Sequence, residues 1–146
     1  MDKQVLTYLQ NHSVLSLATY GDAGVWSTAV FYVNDDHTLY FLSAPHTRHS
    51  QDIAQNPKVA VTIQENYTKW EQIKGIQLEG ECTLIPQEQT ESIIELYAKK
   101  FPIIGPDAPP QIANALDKIG WYQIIPQRLY FIDNSKGLGH RTEIAI

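Results

Sequence analysis

Thr47, Arg48 and His49 stand in a row where an apolar run, Leu39-Tyr40-Phe41-Leu42-Ser43, gives way to a short helical stretch that stops at Asn56-Pro57. A guanidinium, an imidazole and several hydroxyls at a helix start make an anion site. The unpaired N–H groups and partial positive charge of the helix end add to the charge of Arg48. The guanidinium fork donates two parallel hydrogen bonds to phosphate oxygens, and the hydroxyls of Ser43 and Thr47 can add more. These residues point to a phosphorylated small molecule. Thr47 and Ser50 also read as helix caps, a role compatible with holding a phosphate.

Other chemistries find little support. The five histidines, His12, His37, His46, His49 and His140, show no H-E-x-x-H or comparable spacing, so no metal site is expected. Cys82 is the single cysteine, which excludes an intramolecular disulfide, and its apolar neighbours mark it as an inert core residue. There is no G-x-S-x-G, no glycine-rich phosphate loop and no dinucleotide fingerprint, which argues against a hydrolase or nucleotide kinase. Trp26, Tyr32, Trp70 and Trp121 read first as packing residues. Glu79 and Glu81 read as a solvated strand face.

The elements that must position the turn follow from periodicity. Val5, Leu6, Tyr8 and Leu9 recur at helical spacing behind Asp2, a candidate N-cap. Alternation from Ser13, a Gly21-Asp22-Ala23-Gly24 turn and the β-branched run Val25 to Val33 predict a hairpin. Thr38 to Ser43, Val59 to Ile63 and Lys74 to Leu84 predict further strands, with Gln51 to Gln55 helical between the first two. Ile93, Ile94, Leu96 and Tyr97 predict a strong helix ending at Phe101-Pro102. A Pro-rich loop and a helix with Pro110 in its first turn follow. Trp121 to Ile125 and Arg128 to Ile132 predict a last β segment interrupted by Pro126, and Asn134 to Ile146 reads as a tail. The class predicted is mainly β, a small antiparallel barrel with peripheral helices.

The global numbers are consistent with one domain over 1–146. Sixteen acidic against eleven basic residues give a net charge of -5, which argues against nucleic acid or an anionic membrane as partner. The N-terminal stretch mixes Asp2, Lys3, Gln4 and Asn11 among its apolar residues and reads as neither signal peptide nor membrane span. With a lone cysteine, a cytoplasmic location is expected.

The phrase from Trp26 to Ile63 resembles the FMN-binding split barrel of the pyridoxamine 5'-phosphate oxidase-like superfamily. The likeness rests on Phe31-Tyr32-Val33, Leu39 to Ser43, the basic turn and Gln55-Asn56-Pro57 before Val59-Ala60-Val61. Gly80-Glu81-Cys82 and Phe131 to Arg141 support it. Within that superfamily the chain is most similar to a small uncharacterised bacterial group, through Lys74 to Glu81 and Phe131 to Gly139. The resemblance implies a split β-barrel with a Greek-key-like antiparallel barrel, and a homodimer with FMN at the subunit interface. It further implies that Ser43, Thr47, Arg48 and His49 hold the FMN phosphate. By the same likeness the strand from Ser27 to Tyr32 meets the edge of the flavin ring with its backbone, which makes Trp26, Ser27, Thr28 and Tyr32 candidates, Lys74 falls near a polar contact, and Phe131 and Arg141 close the site from the partner subunit.

The resemblance also limits the reaction. Relatives that oxidise pyridoxamine phosphate carry a lysine where Tyr32 stands here, and an arginine-histidine pair where this chain reads Gly137-Leu138-Gly139-His140-Arg141. The expected function is therefore a flavin-dependent oxidoreductase acting on a different, unidentified small molecule. Binding or sensing of flavin, haem or deazaflavin without turnover is the alternative. A third is a dimeric barrel that has lost its cofactor.

Overall fold

Asp2 opens the first helix as its position predicts. Its carboxylate accepts from the Val5 N–H at 3.0 Å, and α1 (Lys3–Asn11) follows, burying Val5, Tyr8 and Leu9. The computed structural model describes residues 2–105 and 107–146. β1 (Val14–Gly21) and β2 (Gly24–Phe31) form the expected hairpin, paired along their whole length. β3 (Val33–Asp35), β4 (Thr38–Ser43), α2 (Arg48–Gln55), β5 (Lys58–Gln64) and β6 (Lys74–Leu84) come next. α3 (Glu91–Lys100), α4 (Pro110–Leu116), β7 (Gly120–Asp133) and β8 (Arg141–Ile144) complete the chain.

All eight strands belong to one antiparallel sheet, ordered β2-β1-β5-β6-β7-β4-β3, with β8 on the free side of β7. The sheet curls into a half-barrel in which β2 and β4 approach each other without pairing. Strand alternation then decides what is buried. In β4, Leu39, Phe41 and Ser43 point inward, and Val59, Val61 and Ile63 do so in β5. Leu15, Leu17, Phe41, Ile76, Ile124 and Leu129 fill the main core, closed at one end by α1. A second core, with Val33, Ile85, Ile93, Tyr97, Ile104 and Trp121, lies under α3. No helix among the described residues is long and apolar enough to cross a membrane.

Three stretches differ from their sequence reading. The run Val25 to Val33 is not one strand. Tyr32 turns inward, its N–H donating to the Ser13 carbonyl at 3.0 Å and its hydroxyl to the Leu9 carbonyl at 2.7 Å, so β2 ends and β3 begins on either side of it. Pro126 does not interrupt β7. Glu79 pairs with Arg128 and Gly80 with Pro126, so Gln127 bulges out and the proline needs no ladder N–H. Gly80 permits this approach, because a Cβ there would stand 2.3 Å from the Ile125 carbonyl oxygen.

The tail is the third difference. Asp133 accepts from the Ser135 N–H, and Asn134 bridges the Trp70 carbonyl and the Gly139 N–H. Gly137 and Gly139, with φ of 141° and 70°, then turn the chain back into β8.

Candidate functional site

β4 carries Ser43 to the inner face at its end, and the chain turns through Ala44 to Thr47 into α2. Thr47 is the N-cap, accepting from the Ser50 N–H at 3.3 Å, so the helix begins at Arg48. Four side chains gather there. Ser43 Oγ lies 2.6 Å from His49 Nε2, 3.2 Å from Thr47 Oγ1 and 3.2 Å from Ser50 Oγ, while Thr47 Oγ1 lies 2.8 Å from Ser50 Oγ. His49 is almost buried, and its burial lowers the imidazole pKa, with nearby Asp52 pulling weakly the other way. The ring is thus neutral at pH 7, and donates or accepts one hydrogen bond toward Ser43. Asp52 is itself buried and accepts from Thr19 Oγ1 at 2.8 Å, which pins α2 to β1.

Arg48 reaches across from α2 to the β1–β2 hairpin. Its guanidinium sits 4.3 Å over the Trp26 ring, and one terminal nitrogen donates to the Ala23 carbonyl at 3.2 Å. Its Nε is buried and has no partner; among the described residues only one other buried side-chain nitrogen shares that state, His37 Nε2 in the β3–β4 turn. The Arg48 guanidinium, the Ser43 and Thr47 hydroxyls and the N-terminus of α2 are together a donor set of the kind taken by an anion with several oxygens. The residues present therefore fit the phosphate of FMN.

The remaining expected site residues divide into groups. Thr28 lies on the same face of β2 as Trp26 and is half-buried, in register with Leu17 of β1. Ser27 alternates to the opposite, outer face, so its side chain does not join the cluster within one chain. The Tyr32 side chain does not reach this cluster. It is fully buried, bonded to the Leu9 carbonyl, and carries the Lys100 ammonium 4.2 Å over its ring.

Lys74 and Phe131 also lie away from Arg48. They line a groove of about 450 Å3 along α1 with Tyr8 and His12. Phe131 is nearly buried and meets Tyr8 edge-on at 5.6 Å. Tyr8 donates to the Lys74 carbonyl at 3.0 Å, and its burial raises the phenol pKa. Arg141 is exposed on the outer sheet face, 4.7 Å over Tyr130 and 3.4 Å from Gln77 Oε1.

Sequence reading missed the part played by Ser50 beyond capping and the whole Thr19–Asp52 pair. A carboxylate between His49 and Ile53 on the apolar side of α2 was the available signal, since a buried carboxylate needs a donor. Sequence reading gave Trp26 as packing or as a neighbour of the flavin, whereas its ring lies under the Arg48 guanidinium.

An antiparallel half-barrel with a basic turn between its fourth strand and second helix defines the class: this is a split barrel of the pyridoxamine 5'-phosphate oxidase-like type. The pyridoxamine 5'-phosphate oxidase family model matches residues 1–133, and the chain belongs to that family. A UPF0306 protein of Photorhabdus laumondii is 36% identical over 136 residues, covering 92% of this chain and 88% of the relative. Among solved structures, the conserved hypothetical protein Rv2991 of Mycobacterium tuberculosis matches all of this chain and 92% of its own, with a TM-score of 0.78 at 17% identity. HutZ, the heme storage protein of Vibrio cholerae, matches 88% of this chain and 92% of its own, with a TM-score of 0.71 at 16% identity. At such identities these structures show a shared fold.

Proposed function

We propose that this protein binds FMN at the Ser43–Ser50 turn and serves as a flavin-dependent oxidoreductase on a small molecule other than pyridoxamine 5'-phosphate. The observation that carries the reading is the gathering of the Ser43 and Thr47 hydroxyls and the buried His49 at the N-terminus of α2, the helix that Arg48 opens. Arg48 would pair with the phosphate, the hydroxyls would donate to it, and neutral His49 would orient Ser43 without adding charge. With the Ser50 N–H taken by Thr47, the N–H groups of Arg48 and His49 that open α2 would complete the cradle. When bound, the flavin supplies the electron and hydride transfer. This explains why the protein needs no nucleophile of its own. Tyr32, buried where a substrate-binding lysine would be, supports a different substrate.

The reading extends to a homodimer. β1 and β2 turn outward the register pairs Val14 with Phe31, Ser16 with Ala29, Ala18 with Ser27 and Tyr20 with Val25. Val25 is 78% and Phe31 55% exposed, an apolar sheet face of the kind that seats a second copy. Ser27 and Arg141 belong to this outer face, so a second copy would bring them to a shared site. The likeness to HutZ gives haem as the second reading.

Titration of the purified protein with FMN, followed by flavin fluorescence, tests the proposal. Saturable binding is expected, weakened about ten- to a hundredfold in Arg48→Ala through loss of charge-assisted hydrogen bonds. Failure to bind FMN, or an Arg48→Ala affinity equal to that of the parent, overturns it. A Soret band on addition of haemin, lost in no Arg48 variant, selects the haem reading instead.

A further inference from the structure

A cavity of about 580 Å3 lies between α3, α4, the start of β7 and Pro45 of the turn after β4. That volume falls within the roughly 300–1,000 Å3 of small-molecule sites. Its aromatic walls are held rigid from behind, Trp121 edge-on to Tyr97 at 5.1 Å and Tyr122 stacked on Phe41 at 5.2 Å. Buried Ile85 and Ile104 add aliphatic surface, and half-exposed Ile94 stands at the lip. The Thr90 hydroxyl is already committed to the Gln87 carbonyl at 2.8 Å. Asp117 is the one carboxylate of the lining, which holds no Lys, Arg or His among the described residues.

We propose that this cavity is a second ligand site, for a compact ring compound bearing an ammonium group. The ring would leave water for the walls of Trp121, Ile85 and Ile104, and the ammonium would stay at the solvent edge against Asp117. An anion would meet the carboxylate with no cation to offset it. The chemistry is the reverse of the Arg48 turn, and the inference does not depend on a cofactor there. The two sites adjoin through the turn that carries both Pro45 and Thr47 and through the Ser43–Gly120 pair of β4 and β7.

Three probes of one shape test it: 1-naphthylmethylamine, 1-naphthalenemethanol and 1-naphthoate, with binding measured by saturation-transfer NMR at neutral pH. The amine is expected to bind about threefold more tightly than the alcohol and about tenfold more tightly than the carboxylate, as fits a partly exposed ion pair. Asp117→Asn, at an exposed position, is expected to level amine and alcohol. Ile94→Trp, which adds bulk at the lip without entering either core, is expected to abolish binding of all three while the circular dichroism spectrum is kept. Binding of the carboxylate as tight as that of the amine, affinities unchanged in Ile94→Trp, or no binding by any probe would each overturn the inference.

Discussion

Individual side chains in this protein act through what burial does to their charge. Cys82 is fully buried on β6, and burial pushes its thiol up to about 12. The native protein is therefore expected to react with a disulfide reagent at neutral pH only as fast as it unfolds, and the denatured chain at once. A fast native reaction would place the thiol at the surface. Lys100 donates to the carbonyls of Leu9 and His12 at the end of α1, yet burial lowers it from 10.5 to about 8. Between those values the unfolded chain binds more protons than the folded one, so this group's contribution to stability rises with pH from about 8 to about 10.5 and is lost as pH falls. Buried tyrosines oppose it from higher pH, since Tyr97 is raised to about 12 and its contribution is lost on rising through that value. The melting temperature of the parent relative to Lys100→Met, measured from about pH 7.5 to about 9.5, is expected to climb with pH. A flat or falling difference contradicts the assignment.

At the scale of elements, short segments are held by buried polar residues rather than by their own propensity. β8 has four residues and is held against β7 by its ladder, by the Arg128–Glu143 ion pair and by the hairpin before it. Asn134 is nearly buried and satisfies both Trp70 and Gly139, so Asn134→Ala leaves a carbonyl and an N–H unpaired. A loss of about 1–3 kcal/mol in urea denaturation is expected. An unchanged midpoint would show that β8 is held by its ladder and ion pair alone. α2 depends in the same way on Thr47 at its cap and on the Thr19–Asp52 contact beneath it. Moving that helix would displace Arg48 and the hydroxyl cluster together.

At the scale of the molecule, the expected site residues lie on three surfaces of one chain: the Arg48 turn, the α1 groove and the outer sheet face. The proposed dimer is the arrangement that would unite the first and the last. Ala60 stands in register with Ala18 on one side and Glu79 on the other at the middle of that outer face, and Ala60→Arg would set a long side chain where only a methyl group stands now. Analytical ultracentrifugation is expected to show the parent as a dimer and Ala60→Arg shifted to monomer. FMN affinity should fall with it. A parent that sediments as a monomer removes the shared site, and leaves the Arg48 turn to bind alone.

The sequence by itself determined most of the strands and helices and the capped helix start at Thr47-Arg48, because alternation, helical periodicity and a cap beside an arginine are local patterns. Leu39 to Ser43, Thr47 and Arg48 were legible for that reason. Tertiary structure alone decided where Tyr32 points, that Pro126 sits within a bulged strand, and that the glycines after Asn134 make a hairpin. Each of those outcomes depends on a partner distant in the chain: the Leu9 carbonyl, Gly80 and the Trp70 carbonyl. It alone also decided that His49 is buried and neutral, that Trp26 holds Arg48, and that Lys74 and Phe131 face another groove. Burial and long-range pairing are set by how the sheet curls, and no spacing along the chain records that curvature.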